Sequence, residues 1–194
     1  MKYIAIVAGT GSYNDIGVIR SFGEKCIPVF YITNEEHIFP IHKSKYIVQT
    51  LYCDMNEKTF IDAIKSICIQ QNAYGVVFPT SDITALYLDR NYEMLKDYCS
   101  YSHAYGQLEK EMDKLQQVNR AVEAGLNVPS AISADVKRLP ETINYPCIIK
   151  PLASVLGEKS DISVCHDSVE LSSAAKRYVE KGNAKVMLMS LYKI

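Results

Sequence analysis

The residue with the clearest chemical potential is Lys150, which stands at the end of the apolar run Cys147-Ile148-Ile149 with Pro151 stopping the run behind it. In a strand, side chains alternate between faces, so Lys150 shares a side with Ile148 while Cys147 and Ile149 share the other. An ammonium among apolar side chains loses hydration, and an anion is needed to offset the loss. The loop beyond it contains Ser154, Gly157, Lys159 and Ser160. These offer hydroxyl, backbone and ammonium donors suited to phosphate oxygens. The stretch therefore reads as a nucleotide phosphate site. A plainer reading is a strand whose lysine sits at a solvated end, followed by an ordinary hairpin loop.

Two other polar clusters follow apolar runs. Lys2 to Ala8 enters Gly9-Thr10-Gly11-Ser12 and then a helix-like stretch from about Asp15 to Lys25. Strand, glycine turn and helix in this order can present backbone N–H groups to an anion. The turn reads G-T-G-S-Y-N-D-I-G, and its third glycine lies too far on for a dinucleotide fingerprint. Glu35 and Glu36, after the second strand, are the acidic candidates for a ribose. A nicotinamide-dependent oxidoreductase is thus one alternative, and glycines that only make a tight turn are another. The second cluster, Thr80-Ser81-Asp82, follows Gly75-Val76-Val77-Phe78-Pro79. It would lie at the carboxyl end of a parallel strand, where open α/β sheets bind ligands, although helix capping by Ser81 or Asp82 would also explain it.

The elements that must position these residues form two patterns. Strands at about Lys2–Ala8, Ile27–Thr33, Tyr46–Thr50 and Gly75–Pro79 alternate with helices near 15–25, 56–71 and 82–95, which predicts a parallel sheet covered on both faces. Cys99 to Gln107 reads as a connector. A helix from about Leu108 to Ala124 would turn Met112, Leu115, Val118 and Val122 inward, with Lys114 off that stripe. From Val128 onward short strands predominate, at about 131–133, 147–150, 162–165 and 185–191, with one helix near 169–181. The expected fold is α/β, a Rossmann-like domain with its linker helix over residues 1–127 and a small antiparallel α+β subdomain over residues 128–194.

Composition narrows the function classes. A net charge of −1 over 194 residues leaves no broad field for nucleic acid or anionic lipid. The six cysteines are scattered, with no Cys-x-x-Cys, and behave as small hydrophobes in apolar patterns, so a reduced, cytoplasmic protein is expected. The four histidines show no metal-ligand spacing with them, and no metal site is expected. The opening MKYIAIVAG has too short an apolar run for a signal peptide, and no segment approaches a membrane span.

Three stretches together resemble the ATP-grasp superfamily, in particular its carboxylate–amine ligases and carbamoyl-phosphate-synthase-like branch. They are Ala8-Gly9-Thr10-Gly11; Asp113-Lys114 through Ala124-Gly125-Leu126-Asn127-Val128-Pro129; and Tyr145-Pro146-Cys147-Ile148-Ile149-Lys150-Pro151. The resemblance implies that Lys114 and Lys150 contact the phosphates of ATP, and that the loop Leu152–Ser160, with Ser154, Gly157 and Lys159, folds over them. It also implies that the strand segment Met187, Leu188, Met189 and Ser190 holds adenine through backbone groups. Gly9, Thr10, Gly11, Ser12, Thr80, Ser81 and Asp82 become candidates to line a pocket for the small-molecule carboxylate and amine substrates. The loop departs from the glycine-rich form of the family, and Ser190 stands near where many members have a glutamate.

The reaction implied is the ATP-dependent joining of a carboxylate to an amine or ammonia through an acylphosphate, with magnesium neutralising the phosphates. In the family the metal ligands come from a second half of the fold, which would begin where this chain stops at Ile194. The expectation is therefore the N-terminal portion of such a ligase, binding ATP but incomplete for catalysis as this chain, with no catalytic residue assigned. A non-catalytic nucleotide-binding or interaction protein of the same fold is the alternative. On this reading Val186, Leu188 and Leu191 are partly uncovered, and self-association into a homo-oligomer or local disorder there is expected.

Overall fold

The computed structural model describes residues 2–34, 41–102, 104, 106–152 and 159–191. It divides into two compact units, Met1–Leu108 and Glu109–Ile194. Sequence patterning sets the division near residue 127 instead. The linker helix falls with the second unit because its Lys114 N–H donates to the Leu152 carbonyl at 3.0 Å and the helix lies against the strand Ala131–Asp135.

In the first unit β1 (Tyr3–Ala8), β2 (Val29–Thr33), β3 (Ile47–Tyr52), β4 (Tyr74–Pro79) and β5 (Cys99–Ser100) form a parallel sheet in the order β3-β2-β1-β4-β5. Apolar side chains on both faces of the central strands explain their continuous runs. On one face Ile4, Ile6, Phe30 and Ile32 meet Phe60, Ile64 and Ile67 of α2 (Glu57–Gln71). On the other, Val7, Val29 and Tyr31 meet Ile19 of α1 (Tyr13–Gly23). Each such side chain, fully buried, contributes on the order of 1.5–3 kcal/mol.

Caps set the helix starts. Asn56 accepts from the Thr59 N–H at 3.0 Å to begin α2, and Ser81 accepts from the Thr84 N–H to begin α3 (Asp82–Arg90), which α4 (Tyr92–Leu95) follows. The expected connector Cys99 to Gln107 is corrected at its start, where β5 pairs with β4. Two residues are too few to show alternation in the sequence. After β5, the buried carboxylate of Asp89 accepts from the N–H groups of Ala104 (2.6 Å) and Leu108 (2.9 Å), fixing the exit from the unit.

The second unit is an antiparallel sheet of β6 (Ala131–Asp135), β7 (Cys147–Lys150), β8 (Ser163–Cys165) and β9 (Lys185–Ser190), ordered β6-β9-β7-β8. One face is covered by α7 (Ser168–Glu180), whose Leu171, Ala174, Ala175 and Tyr178 pack on Cys147, Ile149, Cys165, Val186 and Leu188. Val186 and Leu188 are therefore buried, contrary to the expectation that they are uncovered; of the three, only Leu191 is exposed. The mixed α/β architecture, a parallel sheet followed by a separate antiparallel one, is the fold class the sequence implies.

The single helix expected over 108–124 is two, α5 (Leu108–Glu111) and α6 (Lys114–Glu123). Asp113 interrupts it by accepting from the Gln116 N–H at 2.9 Å, which makes a new N-terminus at Lys114. None of the expected inward residues of α6 is buried, and Val122 is exposed.

Candidate functional site

Lys114 and Lys150 lie far apart in sequence and close together in the second unit. The start of α6 creates the meeting. At its first residue, Lys114, the backbone N–H donates to the Leu152 carbonyl, and the ammonium donates to the Pro151 carbonyl at 3.3 Å. The helix terminus is thus fastened to the chain directly behind Lys150. Lys150 ends β7 opposite Met187 of β9, on the sheet face away from α7. Its Nζ approaches the Sδ of Met189 at 3.9 Å.

The electrostatics of this pair follow from its surroundings. Burial lowers the pKa of the Lys150 ammonium, and the neighbouring Lys114 charge lowers it further. Among the described residues no carboxylate pairs with either lysine. Two cations held together without an anion suit a polyphosphate, whose oxygens would relieve both the desolvation and the repulsion. Ser154 and Gly157 lie outside the described residues, as does the side chain of Lys159.

Met187 to Ser190 are the last four residues of β9, which is bonded on one edge to β6 and on the other to β7. Its backbone groups are largely committed to those ladders. At the strand end, the Ser190 N–H donates to the Ser130 carbonyl at 2.9 Å and the Leu191 N–H to the Pro146 carbonyl at 3.2 Å. The Ser190 hydroxyl is 3.0 Å from that of Ser130, where the family resemblance suggests a glutamate.

The candidates of the first unit gather around a residue that sequence reasoning missed. Asp15, fully buried near the start of α1, accepts from the N–H groups of Gly11 (2.9 Å) and Ser12 (3.2 Å) and from the Ser12 hydroxyl (3.0 Å). The hydroxyls of Tyr31 and Thr80 also donate to it, both at 2.6 Å. The Tyr31 hydroxyl has its pKa raised by burial and by its bond to Asp15. A carboxylate therefore takes the donors that a dinucleotide phosphate would use, which argues against the nicotinamide reading. The signal was present in Ser12-x-x-Asp15, a capping pattern at the helix start.

Gly9 belongs to the same assembly. A Cβ there would fall 2.1 Å from Thr80 Oγ1 and 2.3 Å from Asp15 Oδ1, so only glycine fits. Thr10 is exposed at the turn, while Ser81 is committed to its cap and Asp82 opens α3 at the surface. Ser81 and Asp82, with Thr80, also line an open groove between α1 and α3 whose floor holds the paired rings of Phe22 and Phe78. Glu35 and Glu36 lie outside the described residues. Among the described residues no three His, Cys, Asp or Glu side chains converge to hold a metal ion, and no helix is long and apolar enough to cross a membrane.

No protein-family model and no curated protein matches the sequence. Solved structures do match the fold. The L-amino acid ligase from Bacillus licheniformis is similar at a TM-score of 0.74 and 13% identity, over 98% of this chain and 45% of that one. The N5-carboxyaminoimidazole synthetase from Staphylococcus aureus is similar at 0.66 and 16%, over 100% of this chain and 48% of that one. The D-alanine–D-alanine ligase from Bacillus anthracis complexed with ATP is similar at 0.58 and 17%, over 100% and 60% respectively. The chain spans about half the length of these proteins, and over that span it shares their fold.

Proposed function

We propose that the second unit is the nucleotide-clasping part of an ATP-dependent carboxylate–amine ligase, and that Lys114 and Lys150 hold the ATP phosphates. The observation that carries this reading is the pair of ammonium groups brought together by the start of α6, one of them with a depressed pKa and neither paired with a carboxylate among the described residues. ATP supplies a phosphoryl group that activates the carboxylate as an acylphosphate for attack by the amine. This chain's own contribution is to bind and orient the phosphates. Lys150 acts from the end of a paired strand and Lys114 from a helix terminus fastened to Pro151 and Leu152, so the backbones that carry both cations are already in place before binding. The Ser190 end of β9 faces the base. Thr80, Ser81, Asp82 and the Gly9–Ser12 turn bound the pocket for the other substrates, with Gly9, Gly11 and Ser12 shaping it through Asp15. The protein is read as cytoplasmic.

Calorimetric titration of the chain with ATP and ADP tests the proposal. If each lysine makes a charge-assisted bond, Lys150→Ala and Lys114→Ala should each weaken binding by roughly ten- to a hundredfold, about 1.5–3 kcal/mol. Unchanged affinity in both variants would remove the lysines from the site. Thermal shift with NADH beside ATP separates the nicotinamide alternative, since only the ligand that binds raises the melting temperature.

A further inference from the structure

Cys147 and Cys165 face one another across the β7–β8 ladder as directly opposed residues. Opposed residues of an antiparallel pair have Cβ atoms about 4.5–5.5 Å apart, within about an ångström of the span that a disulfide takes. Both thiols are free and buried on the α7 face, in the same apolar core. Cys147 also lines a cavity of about 120 Å³ together with Ile132, Thr142, Ile143, Leu188 and Ser190. A reagent reaches the two sulfurs when β8, an edge strand of the sheet, opens locally.

We propose that Cys147 and Cys165 are a thiol–disulfide site, closed to a cross-strand disulfide by small disulfide oxidants of the glutathione type. The Cys147 thiolate attacks one sulfur of the oxidant, breaking its S–S bond, forming a mixed disulfide and releasing one thiolate that takes up the Cys147 proton. The Cys165 thiolate then attacks the Cys147 sulfur, forming the intramolecular bond and expelling the second thiolate, which takes up the Cys165 proton. The protein loses two electrons and two protons, and the oxidant gains both. The bond encloses a loop of about 18 residues between the two strands, which restricts the unfolded chain and stabilises the unit. Burial, with Cys147 and Glu170 nearby, pushes the Cys165 thiol up to about 11, so the reaction accelerates as pH rises from neutral. The inference is independent of the nucleotide reading.

The test uses the reduced chain, treated with oxidised glutathione at pH 7 and pH 9 and quenched with iodoacetamide in urea before peptide mapping. The expected product is a Cys147–Cys165 linked peptide, formed faster at pH 9. The melting temperature should rise by roughly 5–10 °C and fall back on addition of dithiothreitol. Cys165→Ala should stop at a glutathione adduct on Cys147 and show no such rise. Recovery of both residues alkylated, or linkage of Cys68 to Cys99 in their place, would overturn the proposal. So would a linked product that melts lower than the reduced chain.

Discussion

Replacing Lys150 with methionine removes a charge while nearly keeping the length and shape of the side chain, so it separates what this residue does for folding from what it does for binding. In the native chain the ammonium is partly desolvated, lies 3.9 Å from the Met189 sulfur and is repelled by Lys114. A methionine there would pack against Met189 without either penalty. Water and salt screen the repulsion, which keeps the gain to about 1 kcal/mol. A gain of that size raises the melting temperature by about 4 °C or more if the second unit melts alone as a domain of under ~100 residues, and by about 2–4 °C if the chain melts as one.

The same substitution should weaken ATP binding by roughly ten- to a hundredfold. Stability and affinity therefore move in opposite directions, as expected of a residue kept for its ligand. The pH dependence follows from the lowered pKa. Between that folded value and the ordinary lysine value the unfolded chain binds more protons, so native stability rises with pH across this window and the difference from Lys150→Met narrows. Differential scanning calorimetry from pH 7 to pH 10, paired with ATP titration, measures both effects. A variant that melts lower than the native chain and binds ATP equally well would refute the reasoning, because Lys150 would then be a structural side chain.

Asp15→Asn replaces an acceptor of five donors with a group that must turn an NH₂ toward some of them, and should cost about 2–4 kcal/mol in urea denaturation. A cost within ~0.5 kcal/mol would show that the cluster does not hold the turn. The raised pKa of Tyr31 means that its contribution is intact below the ordinary tyrosine range and is lost as pH climbs through the folded value; Tyr31→Phe should flatten that alkaline loss in melting curves. Gly9→Ala drives a methyl into Thr80 and Asp15 and should destabilise by about 1–3 kcal/mol, read by the same denaturation. Asp167→Ala removes the acceptor for the Val169 and Glu170 N–H groups at the start of α7 and should cost about 1 kcal/mol.

What the sequence reveals and what it conceals divide along physical lines. Strands buried on both faces write themselves as apolar runs, which is why β1, β2 and β4 are placed within a residue or two and the parallel sheet is legible without a structure. The switch to short strands after Val128 announces the second sheet for the same reason. Helix interruption is less visible. Met112, Leu115, Val118 and Val122 have the spacing of one continuous stripe, yet a single hydrogen bond accepted by the Asp113 side chain outweighs that periodicity. Asp113-x-x-Gln116 was the available local signal, of the same kind as Ser12-x-x-Asp15.

The candidate site illustrates the deeper limit. Composition and spacing single out Lys150 because the strand that carries it is local, but they give Lys114 no distinction, since it lies off the apolar stripe of its helix. Its role depends on the Pro151 and Leu152 carbonyls, nearly forty residues away, which no pattern within a helix can encode. The helix break and the site thus have one cause. By ending α5 and starting α6 at Lys114, Asp113 points a helix N-terminus, with its own partial positive charge, at the chain behind Lys150. An uninterrupted helix would carry Lys114 in its interior and leave its backbone N–H bonded within the helix, unable to reach Leu152. The irregularity that defeats the sequence-level prediction is what brings the second cation to the first.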